Sequence, residues 1–273
     1  MQNRSSSPNL ERLSIVTATI MLAFALTQLI SFPEQSLSFS LFGILIDVVL
    51  DFSIFVIAFS VLLAAAGMDW LIHSYPGEPR VKNRWAYIRH WIVPVMTALV
   101  IGVALNAFAG SLLWWVVYIL GSLLLFAVFI AEYNVAAAKD EFNPLAIIGL
   151  TALSFVLYLL LAIAVFSAGA RLYIRLPLLG VGALMVTSRA LFLRLGKLHT
   201  LWAIVISLIL SEIVVGFHYL PLNPTRLGLL LVGIAYTLTS IVTAIKEART
   251  SWAFWSEPAM MMGLVLLISV IWA

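Results

Sequence analysis

The sequence has no cysteine, which excludes disulfides, thiolate nucleophiles, zinc–thiolate sites and iron–sulfur clusters together. Charge is scarce as well. Only 10% of the residues are Asp, Glu, Lys or Arg, against about 25% in an average soluble domain. The apolar share is 63%, where about 45–50% is usual, so a water-soluble fold is excluded. No segment masses the basic residues: the net charge of +3 is spread over many short stretches, which argues against nucleic acid as a partner. None of the 15 glycines stands four residues from another, so the GxxxG pairing motif is missing. No GxSG sequence occurs, which removes the serine setting of an intramembrane protease. Membrane prenyltransferases need two aspartate-rich motifs to hold magnesium diphosphate. Asp47 and Asp51 form one such spacing and no second exists.

What is present is a series of long apolar runs, with a mean hydropathy of +1.12. In lipid every backbone N–H and C=O must be paired inside the protein, which leaves helices or a closed barrel. Barrel strands would alternate over about ten residues, whereas these runs are continuous and close to the roughly 20 residues that span a bilayer as a helix. The expected fold is therefore all-α, a single transmembrane helical bundle of nine spans. They fall at about 13–32, 41–66, 91–109, 112–131, 144–168, 176–195, 201–220, 227–245 and 256–273. The first run is too long for the apolar region of a signal peptide and continues into Ile30-Ser31-Phe32-Pro33. Trp91 to Ala131 carries no charge and is twice the length of one span, so Gly110-Ser111 is expected to turn it back. Pro221 and Pro224 punctuate the turn before the eighth span. The ninth has the shortest apolar run, extended by Ser256-Glu257-Pro258, residues suited to a helix start.

Lysines and arginines set the expected orientation. With the N-terminus in the cytosol, Arg4, Arg12, Arg80, Lys82, Arg84, Arg89, Lys139, Arg189, Arg194, Lys197, Lys246 and Arg249 are cytosolic, and only Arg171, Arg175 and Arg226 fall outside. The C-terminus is then external. All nine tryptophans lie near expected helix ends, where an indole prefers the membrane interface.

Ionisable groups inside a membrane cost about 2.5–3.5 kcal/mol each at mid-helix, which makes them candidates for function. Asp47 and Asp51, four apart on the expected second helix, share a face. Glu212 lies beyond the middle of the seventh span at a depth similar to Asp51, and His218 follows near its outer end. One reading joins Asp51, Glu212 and His218 in a proton or cation site. The other puts Asp47 at the interface and makes Glu212 a protonated or hydrogen-bonded contact, with Ser211 or Asn106 as partner. Arg189 and Arg194 are expected to snorkel to the headgroups. His73, His90 and His199 share the cytosolic face but lack ligand spacing, so no metal or cofactor is assigned. The loop 67–90, with Arg80, Lys82, Arg84 and Arg89, is expected to touch anionic lipid.

The segment Gly67-Met68-Asp69-Trp70-Leu71-Ile72-His73-Ser74-Tyr75-Pro76, followed by His90-Trp91-Ile92-Val93-Pro94, resembles a family of uncharacterised bacterial polytopic membrane proteins. So does Ser211-Glu212-Ile213-Val214-Val215-Gly216-Phe217-His218-Tyr219-Leu220-Pro221-Leu222-Asn223-Pro224, leading into Gly228-Leu229-Leu230. The resemblance implies a multi-pass protein of a bacterial cytoplasmic membrane with no assigned activity, and makes Glu212 a family feature. The expected function is a non-enzymatic accessory or scaffold subunit, partnered by lipid and a second membrane protein, with no catalytic residue. The alternative is a proton- or cation-coupled small-solute transporter built on Asp51 and Glu212.

Overall fold

Long uninterrupted apolar runs become helices because only a helix pairs its backbone groups within one segment. A computed structural model describes residues 10–30, 35–41, 44–73, 88–137, 144–169, 171–247 and 252–271 of the chain. Among these residues eight helices are long and apolar enough to cross a membrane, and a ninth has a shorter apolar stretch, Trp255–Ile268. The chain is a multi-pass helical-bundle protein. Its contacts divide it into two compact units, Met1–Phe142 and Asn143–Ala273.

The first unit contains α1 (Leu10–Leu29), β1 (Gln35–Leu41), β2 (Ile44–Leu50), α2 (Phe52–His73), α3 (Ile88–Ala107) and α4 (Leu112–Ala137). Each helix packs on the next and α1 also packs on α4. The core is apolar: Leu13, Ile20 and Phe24 of α1 meet Ala64, Met68 and Leu71 of α2, Ala98 and Ile101 of α3, and Leu125 and Phe129 of α4. Trp114, at the start of α4, is buried and stacks on Tyr118, with ring centroids 5.1 Å apart. The expected turn between α3 and α4 is present, with Gly110 at φ 75°, a conformation open to glycine.

The second helix differs from the expected span of 41–66. Its first third is an antiparallel hairpin in which Leu37 pairs with Val48, Phe39 with Ile46 and Ser38 with Asp47. The cause is legible afterwards. Ser36, Ser38 and Ser40 alternate with Leu37, Phe39 and Leu41 at the strand period, and Ile44, Ile46, Val48 and Val49 are β-branched. Helix α2 starts only after Asp51 and runs past Gly67. A Cβ on Gly67 would lie 2.3 Å from Val16 Cγ1, so the bare glycine lets α1 and α2 approach closely.

The second unit contains α5 (Pro144–Ser167), α6 (Leu172–Leu195), α7 (Thr200–His218), α8 (Pro224–Lys246) and α9 (Trp252–Ile271). Helices α5 to α8 pack in sequence, α5 closes on α8, and α9 lies on α8. Tyr158 donates to the Leu179 carbonyl at 3.2 Å and Ser207 to the Gly180 carbonyl at 2.7 Å, tying α5 and α7 to α6. Elsewhere the hydroxyls of Ser154, Thr187, Ser211, Thr237, Thr239 and Thr243 bond to carbonyls four residues back in their own helices. Hydroxyl-rich helices thereby keep few free polar groups.

Candidate functional site

Asp47 and Asp51 do not share a helical face. Asp47 occupies β2, paired with Ser38 in the register, and its side chain lies outside the described residues. Asp51 immediately precedes α2, and its Oδ1 accepts the Ile54 N–H at 2.9 Å. This is an N-cap: the carboxyl satisfies one of the four donors that a helix start leaves unpaired. Ser53, two residues on, lines a cavity of about 30 Å³ together with Thr27, Gln28 and Asn106, room for about one or two water molecules.

The opposite end of the first unit gathers the first turns of α1 and α3 and the last turns of α2 and α4. There His90 Nδ1 lies 3.1 Å from Glu132 Oε2, and the two side chains are 4% and 0% exposed. Arg89 Nε donates to His90 Nε2 at 3.3 Å. An Nε2 that accepts carries no proton, so the ring proton is on Nδ1 and is donated to Glu132. Arg89, His90 and Glu132 thus form a chain in which a neutral imidazole joins a guanidinium to a carboxylate. Nearby, Asp69 pairs with His73 at 3.5 Å and the Arg12 guanidinium lies 5.3 Å from the Trp70 ring. Glu132 escapes the sequence reading because α4 continues to Ala137, beyond the expected end at 131. Arg80, Lys82 and Arg84 of the expected lipid-binding loop lie outside the described residues.

Glu212 and His218 belong to the second unit, so the two halves of the expected cluster are carried by different units. Glu212 is exposed on α7, in a stripe with Leu201, Val205 and Leu208. No described residue of its own unit hydrogen-bonds to it. Ser211, the expected partner, instead bonds to the Ser207 carbonyl at 2.8 Å. Asn106 belongs to the first unit. His218, six residues on from Glu212, is turned about 120° around the helix and displaced about 9 Å along it. Its Nδ1 accepts from Arg175 Nη1 at 3.1 Å.

Arg189 does not snorkel: it is 0% exposed inside the unit, with its guanidinium 5.5 Å from the Phe192 ring. Arg194 donates to the Tyr236 hydroxyl at 2.9 Å and lies 3.5 Å from Glu257 of α9, to which Tyr236 also donates. Its charge is therefore matched within the bundle. Among the described residues no group of three His, Asp or Glu side chains could hold a metal.

Over residues 32–273 the chain matches the family model described as "Protein of unknown function (DUF5656)". Neither a curated protein nor a solved structure matches it.

Proposed function

The chain belongs to the DUF5656 family, and we propose that it is a non-enzymatic accessory or scaffold subunit of a membrane assembly, docking a partner helix through α7. The observation that carries this reading is Glu212, a carboxyl exposed well inside a membrane-length helix. Facing hydrocarbon, an ionised carboxylate costs several kcal/mol, and even a neutral one wastes its hydrogen bonds. The cost is relieved when a second helix brings a donor to it. Leu201, Val205, Leu208 and Glu212 recur at spacings of four, three and four, the pattern of a helix seam. Gly216 extends the stripe with open space where a Cβ would stand. The occupant that fits is a transmembrane helix of another protein with a basic or amide side chain at the depth of Glu212. We place the N-terminus in the cytosol on the distribution of basic residues, and the assembly in a bacterial cytoplasmic membrane on the resemblance described above.

A photo-crosslinker at Leu208 tests the reading in native membranes. One discrete adduct is expected, mapping to an apolar segment with such a donor. It should persist in Glu212→Gln, which keeps the hydrogen bonding, and vanish in Glu212→Leu. No adduct from a normally folded protein, or one indifferent to Glu212, overturns the docking role. If Glu212→Gln folds normally but abolishes pH-dependent flux in reconstituted vesicles, the proton-coupled transporter replaces it.

A further inference from the structure

The second unit carries eight Lys or Arg against three Asp or Glu, Glu212, Glu247 and Glu257. Glu247 and Glu257 lie at the end where α8 stops and α9 starts. The other end is formed by the starts of α6 and α8 and the ends of α5 and α7. It holds Arg171, Arg175 and Arg226 and no acidic residue. These are the same three arginines that the orientation places on the disfavoured side of the membrane. Insertion bias does not explain them, so a different use is called for.

Arg175 is the informative one. It is 7% exposed, yet its Nε has no hydrogen-bond partner. Its described contacts are Nη1 to the neutral acceptor His218 Nδ1, at 3.1 Å, and the Phe166 ring, 5.0 Å from the guanidinium carbon. Both contacts orient the guanidinium and neither supplies negative charge. A guanidinium taken out of water without a counter-charge is strongly unfavourable, and a bound anion would relieve that cost. Arg171 is the N-cap of α6, and its carbonyl accepts the Arg175 N–H at 3.0 Å, so the two arginines stand one turn apart at the same helix end. Arg226 is the third residue of α8, and α8 packs on α6 with its start at the same end. The carbonyl ends of α5 and α7 offset the dipoles of the α6 and α8 starts, so the arginines carry the attraction.

We infer that this end of the second unit binds a phosphate-bearing anion, with Arg175 at the base of the site and Arg171 and Arg226 at its rim. A planar guanidinium fork suits phosphate oxygens. The phosphate could belong to a lipid headgroup or be free in solution, and one experiment separates the two. The site is independent of the α7 stripe, so failure of either proposal leaves the other standing.

The full chain is purified in neutral detergent and its melting temperature followed at fixed ionic strength. Short-chain phosphatidylglycerol, the matching phosphatidylcholine and inorganic phosphate are added separately. A stabilising shift with phosphatidylglycerol or with inorganic phosphate, absent with phosphatidylcholine, is expected. The first identifies a lipid headgroup and the second a free phosphate. Arg175→Gln should weaken the half-saturating concentration by about tenfold or more, the effect of losing one charge-assisted contact. Arg175→Lys, which keeps charge without the fork, should fall between. Where Arg175→Gln does not fold, the double variant Arg171→Gln/Arg226→Gln should show the same weakening. No shift with either phosphate in the folded wild-type protein, or equal shifts in wild type and in these variants, overturns the site.

Discussion

At the scale of single residues, charge in this bundle is handled in three ways. Arg194 is neutralised by Glu257 through Tyr236, Arg89 and Glu132 are joined through His90, and Arg175 is buried on neutral partners. The second arrangement makes a stability prediction. Removing one member of a buried hydrogen bond leaves the other unsatisfied, at a cost of about 1–3 kcal/mol. Glu132→Leu should therefore lower the melting temperature of the purified protein sharply. Glu132→Gln, whose carbonyl still accepts the His90 Nδ1–H, should lower it much less, and His90→Leu/Glu132→Leu should recover part of the loss. Equal melting temperatures for Leu and Gln at 132 would remove the hydrogen bond from the account. The sequence pointed to Glu212 by depth alone but hid Glu132 one residue beyond an expected helix end. It also gave Arg175 no distinction from a lipid-facing arginine, because burial is a property of packing and not of spacing.

At the scale of elements, the helices were legible because their length is fixed by the membrane and their composition by lipid. The hairpin was not. An apolar run reads alike as strand or helix unless its period is weighed, and the serine alternation over 36–40 was masked by the continuous run that follows. The difference has a chemical consequence, since a helix over 41–66 would hold Asp47 and Asp51 together, whereas α2 begins only after both. Asp51 caps α2, which gives a test separating its structural and transport roles. Asp51→Ala should destabilise the protein by about 0.5–2 kcal/mol, while Asp51→Asn, a good cap that cannot titrate, should stay near wild type in stability and in every flux. A denaturation series on the three proteins checks the first part. Loss of pH-dependent flux in Asp51→Asn with stability intact would return this residue to a coupling site.

At the scale of the whole molecule, the two units differ in charge, the first with four helices and the second with five. Unit 1 has seven Lys or Arg against nine Asp or Glu, and unit 2 has eight against three, so the net positive charge resides in unit 2. A hairpin placed between α1 and α2 is too short to add a helical crossing, so the expected order of sides is kept. Reporter fusions after residues 80, 140, 197 and 248 should therefore read cytosolic, and fusions after 35, 110, 172 and 223 external, from twelve basic residues on one side against three on the other. The end of α9 decides the last crossing. Its 20 residues extend about 30 Å, enough for the hydrocarbon layer, so a fusion after residue 273 should read external. A cytosolic signal there, with the other eight as expected, would lay α9 along the membrane against α8. The Arg194–Tyr236–Glu257 contact would then be an anchor for a surface helix instead of a pairing between spanning ones.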